Sequence, residues 1–156
     1  MQFILFRSYR PVFTMFLLCL FFTVTAQHNA YATELTASDG SAVTISRDSY
    51  GVPHIIGSTE SGVFFGQGFA IAEDRLYQLE QFRRVGYGRI SEILGDEYIE
   101  SDKWMRTIFY TESERESQYE ALPVSIRGMM TSYCDGINAY LGLMAADPGR
   151  YCPIEL

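Results

Sequence analysis

Between Thr59 and Gly86, apolar side chains fall at Phe65, Phe69, Ala72, Leu76 and Leu79. Steps of four and three residues place all five on one side of an α-helix, and that side must lie against something apolar. The opposite side carries Gln67, Glu73, Asp74, Gln78, Gln81 and Arg84, which stay in water or pair with one another. Such a helix cannot bury its stripe alone, so the surrounding chain has to supply a second layer. Gly66 and Gly68 lie within the same stretch, each costing about 1 kcal/mol relative to alanine inside a helix. That cost predicts tight backbone packing there, or a break into two helical pieces near Gln67. A dinucleotide loop is the poorer reading, because Gly66-Gln67-Gly68 lacks the third glycine and the preceding strand.

The flanking sequence predicts an α+β chain, mostly helical with a small β-hairpin. Val43 to Arg47 alternates with the period of a half-buried strand, Asp48-Ser49-Tyr50-Gly51 supplies turn chemistry, and Val52 to Ile56 resumes an extended run. Pro53 has no amide hydrogen to donate, which puts it at a strand start or a sheet edge. Thr33 to Ala42 is small and polar and reads as a frayed start. Ser58 or Thr59 caps the long helix, Glu80 and Arg84 are spaced for an ion pair on it, and Gly86 and Gly88 end it. Arg89 to Leu94 adds a short helical turn closed by Gly95. Ser101 or Asp102 then caps a helix running to about Ala121, with Trp104, Met105, Ile108 and Phe109 on its buried half. Pro123 suits the first turn of the last helix, whose stripe is Ile126, Met129 or Met130, Tyr133, Ile137, Tyr140 and Met144. Asp147-Pro148-Gly149 stops it, and Arg150 to Leu156 shows no periodicity.

Residues 1–32 read as a secretory signal peptide. Arg7 and Arg10 form a basic region, Val12 to Val24 is an apolar run of 13 residues, and Ala30-Tyr31-Ala32 is a small-x-small cleavage signal. A run that short does not span a hydrocarbon core, which needs about 20 residues, so no stable membrane anchor is expected. Cleavage after Ala32 is the first choice, cleavage after Ala26 the second, and an uncleaved signal anchor the alternative. The expected location is the periplasm or the exterior.

Residues 33–156 keep 10 of the 12 basic side chains, losing Arg7 and Arg10, and all 19 acidic ones, for a net charge of −9. Such a chain repels nucleic acid and anionic lipid. Glu112, Glu114 and Glu116 read as a solvated helix face. In an oxidising compartment Cys134 and Cys152 can pair, closing a loop of about 18 residues that stabilises by roughly 3 kcal/mol if unstrained. The other reading of Cys134 is an ordinary buried thiol. Two cysteines and His54 lack the clustered spacing of a zinc site, so no metal ligand is assigned. His54 near Asp48 and Ser49 has the residue types of a charge-relay set, but a structural, hydrogen-bonding role is the preferred reading.

Three separated blocks carry more than pattern. RDSYGVPHI at Arg47 to Ile55, GQGFAIAEDRLYQLEQFRR at Gly66 to Arg84 followed by GRISEILG at Gly88 to Gly95, and YCDGINAYL at Tyr133 to Leu141 resemble the start of the alpha chain of the penicillin acylase family. The resemblance spans about Val43 to Leu156. It implies N-terminal-nucleophile amidohydrolases of αββα fold. Their precursor cuts itself into alpha and beta chains, exposing an N-terminal Ser, Cys or Thr that attacks a linear amide, with its own alpha-amino group moving the proton. Those groups belong to the beta chain. The resemblance therefore assigns no catalytic, substrate-binding or metal residue to this chain, and puts calcium ligands of the complete enzyme outside it. It implies partners instead, namely the beta chain and the remainder of the alpha chain. Arg47, Asp48, Gly51, Pro53, His54, Asp74, Arg75, Gln78, Arg83, Arg84, Gly88, Glu92, Gly95, Asp135, Gly136 and Asn138 match the family signature and are assigned to folding and to the interface. The expectation is an exported amidohydrolase segment, inactive alone; the alternative is a small exported helical module for protein contact.

Overall fold

The structure, a computed structural model, describes residues 32–151. Three antiparallel strands, β1 (Ala32–Thr36), β2 (Ala42–Arg47) and β3 (Pro53–Gly57), pair in chain order as a meander. The register sets Leu35 against Val43 and Ile45 against Ile55, so one face carries Leu35, Val43, Ile45 and Ile55 while Glu34, Thr44 and Ile56 take the other. The expected hairpin is thus β2 and β3, and the expected frayed start is corrected: β1 is a third strand. Thr33 and Leu35 alternate with the exposed Ala32, Glu34 and Thr36, and Thr44 Oγ1 donates to Glu34 Oε2 at 2.8 Å across the pair.

The long helix α1 (Glu60–Gly86) lies on the apolar face. Thr59 caps it, its hydroxyl accepting from Gly62 N at 3.0 Å. The sequence stripe is the one that is buried: Phe65, Phe69, Ala72 and Leu76 are at most 8% exposed, with Leu79 packed at the edge. Burying one such large side chain stabilises by about 1.5–3 kcal/mol. The last long helix of the chain crosses the other side of α1.

Those intervening elements are α2 (Ser91–Leu94), a 3-10 turn (Asp96–Tyr98), α3 (Ile99–Ile108) and α4 (Glu112–Ala121); α5 (Val124–Ala146) and α6 (Pro148–Tyr151) follow. The single helix expected to reach Ala121 is two. The chain turns extended at Phe109, and Thr111 starts a new helix through a capping box, its hydroxyl accepting from Glu114 N while Glu114 accepts from Thr111 N. Met105 is partly buried, but Trp104, Ile108 and Phe109 are exposed, against expectation. At the far end, Arg150 and Tyr151 belong to α6, and the Tyr140 hydroxyl donates to Tyr151 O at 3.0 Å.

Glycine sets the spacing of the layers. A Cβ on Gly66 would fall 2.6 Å from Ile55 Cγ2 and 2.8 Å from Val43 Cγ1, so this residue lets α1 settle onto the sheet. On the other side a Cβ on Gly68 would fall 2.0 Å from Tyr133 O, and one on Gly136 1.9 Å from Phe65 O. The backbones of α1 and α5 therefore touch, with Phe69 and Tyr140 meeting edge to face at 5.5 Å beside the crossing. Tight packing, not a break, explains the glycines. The kink in α1 falls later, at Arg75 (φ −144°, ψ 29°).

Candidate functional site

The family-signature residues gather into three polar anchors. At the β2–β3 turn, Asp48 Oδ1 accepts from Tyr50 N and Val52 N, both at 2.9 Å, which closes the turn that Gly51 completes. Arg47 leaves the end of β2 and reaches α1, with Nη2 2.6 Å from Glu73 Oε2 and 2.8 Å from Asp74 Oδ1; its Nη1 also donates to Gly51 O at 2.8 Å. One guanidinium thus clamps turn, sheet and helix together, and the kink at Arg75 follows immediately after the two gripped carboxylates. Beyond it Arg75 donates to Gln78 at 3.3 Å.

The second anchor lies at the C-terminal end of α1. Glu80 accepts from Arg83 Nε at 2.7 Å and from Arg84 Nε at 2.6 Å. Arg84 continues to Glu92 on α2 at 2.6 Å, and Glu92 also accepts from Arg89. Hydrogen bonds from Arg83, opposed by desolvation and reinforced by Arg84, pull the Glu80 carboxyl down to about 2. Next to this chain Asp102 is 5% exposed and accepts from Ile90 N, Ser91 N and Ser91 Oγ at 2.6–2.9 Å. Burial disfavours its charge, but the hydrogen bonds from Ser91 and Ile90 outweigh that and hold it below the usual aspartate range. Asp102 is therefore not the cap of its own helix, as expected from sequence; it caps α2 across space. Gly88 (φ +61°) makes the approach possible, since a Cβ there would meet Asp102 O and Arg106 Cγ at 2.7 Å.

The third anchor ties α5 to the sheet. Ser38 Oγ, in the β1–β2 turn, donates to Asp135 Oδ2 at 2.6 Å, one residue before the glycine that touches α1. Asn138 stands exposed on the same helix.

The histidine expected to play a structural part sits at the first of these anchors. His54 Nε2 lies 3.4 Å from Asp48 Oδ2 with its side chain 60% exposed, and Asp48 is already spent on the turn: the Val52 amide, against desolvation and with the Tyr50 amide and His54, holds it below its ordinary range. The pair orders a turn. Among the described residues, no group of three or more His, Cys, Asp or Glu is placed to hold a metal ion. Likewise no described helix is long and apolar enough to cross a membrane. Of the leader reading, residues 1–31 lie outside the described ones, and so does Cys152 of the expected Cys134–Cys152 pair; Cys134 itself is exposed, not the buried thiol of the other reading.

The structure adds a feature the sequence reading missed. Phe64 and Gln67 of α1, with Ile126, Met129, Met130, Tyr133 and Cys134 of α5, line an open cleft of about 330 Å³. Its walls are almost wholly apolar. The stripe expected along α5 is buried only toward its C-terminal half: Tyr140 is 5% exposed, whereas Ile126 and Met130 are 39% and 47% exposed.

A family model described as penicillin amidase matches residues 42–156. The chain belongs to the penicillin amidase family. The stretch is 33% identical over 119 residues to penicillin G acylase of Escherichia coli, covering 76% of this chain and 14% of that protein. It is 36% identical over 121 residues to a penicillin acylase 2 proenzyme of a Pseudomonas species, covering 71% and 16%. An acyl-homoserine lactone acylase of Pseudomonas aeruginosa is 33% identical over 99 residues, covering 64% and 12%. Among solved structures, a thermostable penicillin G acylase from Alcaligenes faecalis superposes with a TM-score of 0.67 at 35% identity, covering 74% of this chain and 60% of that one. The α+β arrangement is accordingly a mostly helical part of an N-terminal-nucleophile hydrolase fold. The chain spans 12–16% of the length of these curated relatives.

Proposed function

We propose that this chain is the N-terminal part of the alpha chain of an exported, penicillin-acylase-like amidohydrolase, and that it is inactive by itself. Residues 1–32 act as its cleaved leader to the periplasm or beyond. The remainder of the alpha chain and a beta chain complete the αββα fold and bring the N-terminal nucleophile, the oxyanion hole and any calcium ligands. The substrate class is a linear N-acyl amide, in keeping with the acylase names of its relatives. The observation carrying this reading is that the family match runs over residues 42–156 while Arg47, Asp48, Asp74, Arg83, Arg84 and Glu92 of the signature are committed to a turn or an ion pair. This chain supplies scaffold, and the chemistry comes from elsewhere.

The test is complementation. The chain is expressed for export with and without the polypeptide encoded downstream, and hydrolysis of chromogenic phenylacetyl and fatty-acyl amides is followed. Turnover with the companion and none without it is the expected result; turnover by the chain alone contradicts the reading.

A further inference from the structure

We propose that the cleft between α1 and α5 is the seat of an uncharged, apolar segment from the part of the acylase polypeptide that follows residue 156. This rests on the reading given under Proposed function and names the contact through which the companion polypeptide docks. Two observations choose the occupant. The relatives that share this fold run several times longer than the matched stretch, and the solved neighbour's chain itself extends beyond it, so the polypeptide to be packed against this face exists in the family. The cleft also has the chemistry of an unfinished interior. Ile126 and Met130 stand 39% and 47% exposed on one helix, and the walls are almost wholly apolar over about 330 Å³.

The geometry fits insertion of side chains better than capture of an ion or a polar metabolite. No polar group converges on the floor that would orient a small ligand, as binding pockets require. Met129 and Met130 are flexible, polarisable side chains that adapt to an incoming apolar surface. Near the cleft, Gly68 and Gly136 bring the backbones of α1 and α5 into contact.

Cys134 lines the cleft and is exposed, which makes its thiol a reporter of occupancy. The exported chain carrying Cys152→Ser is treated with iodoacetamide, alone and co-expressed with the downstream polypeptide, and labelling of Cys134 is followed by mass spectrometry alongside amide hydrolysis. An active complex in which Cys134 labels at least tenfold more slowly than in the chain alone is the expected result. Met130→Glu should lower recovery of the complex by tenfold or more while leaving the far-ultraviolet circular dichroism of the chain alone unchanged. Val124→Glu, at a site 76% exposed outside the cleft, should leave recovery unchanged. An active complex with Cys134 labelling at the rate of the free chain overturns the inference and leaves the functional reading intact. Failure of the two polypeptides to form any active complex overturns both. Protection of Cys134 that rises with concentration of the chain alone overturns it in favour of a second copy of this chain.

Discussion

Replacing Gly136 with alanine sets two well-known effects against each other, and the structure decides which wins. In a helix interior alanine is favoured over glycine by about 1 kcal/mol, so the substitution should stabilise α5 considered by itself. The new Cβ, however, would lie 1.9 Å from Phe65 O and 2.8 Å from Phe69 N on α1. An ordinary carbon-to-oxygen contact is about 3.3 Å, so the helices would have to part by roughly 1.4 Å. A gap that wide forfeits more than half of the dispersion attraction between the facing side chains, and overpacking a tight core costs about 1–3 kcal/mol, here toward the upper end because both partners are backbone. Net of the propensity gain, Gly136→Ala should destabilise by about 2 kcal/mol. For a domain of this size that lowers the melting temperature by about 10 °C. Gly128 and Gly142 lie on the same helix with nothing within 4 Å of a built Cβ, so alanine there should be neutral or stabilising by up to about 1 kcal/mol. Urea midpoints of the three variants, in the chain alone or in the assembled acylase, read the contrast directly. A Gly136→Ala midpoint at or above wild type, moving with Gly142→Ala, would refute the backbone contact between α1 and α5.

The polar anchors give further expectations. Arg47→Ala frees Glu73 and Asp74 from the sheet and should cost roughly 1 kcal/mol, since the pair is partly solvated; Arg47→Lys should recover only part of it, because an ammonium lacks the planar fork that reaches both carboxylates. Asp102→Ala should raise amide hydrogen exchange at Ile90 and Ser91, whose donors lose their acceptor, while leaving exchange in the middle of α1 unchanged. Glu80 is held near 2 in the folded chain, below its unfolded value, so its contribution is complete above the ordinary glutamate range and is lost as pH falls toward 2; Glu80→Gln should flatten that part of an acid-unfolding curve. His54→Gln should leave turnover of the assembled acylase within about twofold of wild type, because its partner Asp48 serves a turn and no proton transfer; correct processing with abolished turnover would reverse that assignment.

How far these features could be read from residues alone depends on whether the contact was local. The α1 stripe was legible because helical period and burial coincide, and the Thr59 cap and the Glu80–Arg84 pair followed from spacings of three and four residues. The strand β1 was readable too: Thr33 and Leu35 alternate with polar neighbours, but small polar residues masked the period. So was the helix break, since Thr111 and Glu114 have the spacing of a capping box. Asp102 was misassigned for a different reason. A carboxylate just inside a helix start looks like that helix's own cap, and only the fold brings Ile90 and Ser91, more than ten residues earlier, to it. The same holds for the cleft: periodicity shows which face of α5 is apolar but not how much of that face α1 can cover. The matched polar residues gave no geometry by themselves, because Arg47 with Asp74 and Ser38 with Asp135 are long-range pairs.

The central claim is that this chain frames a reaction it does not perform. Trapping the acyl intermediate tests it most directly: the assembled acylase is quenched in acid during turnover of an N-acyl amide, and the mass of each polypeptide is measured. The acyl mass should sit wholly on the companion, at its N-terminal residue, with this chain unmodified. An acyl adduct on any side chain of residues 33–156 would contradict the account.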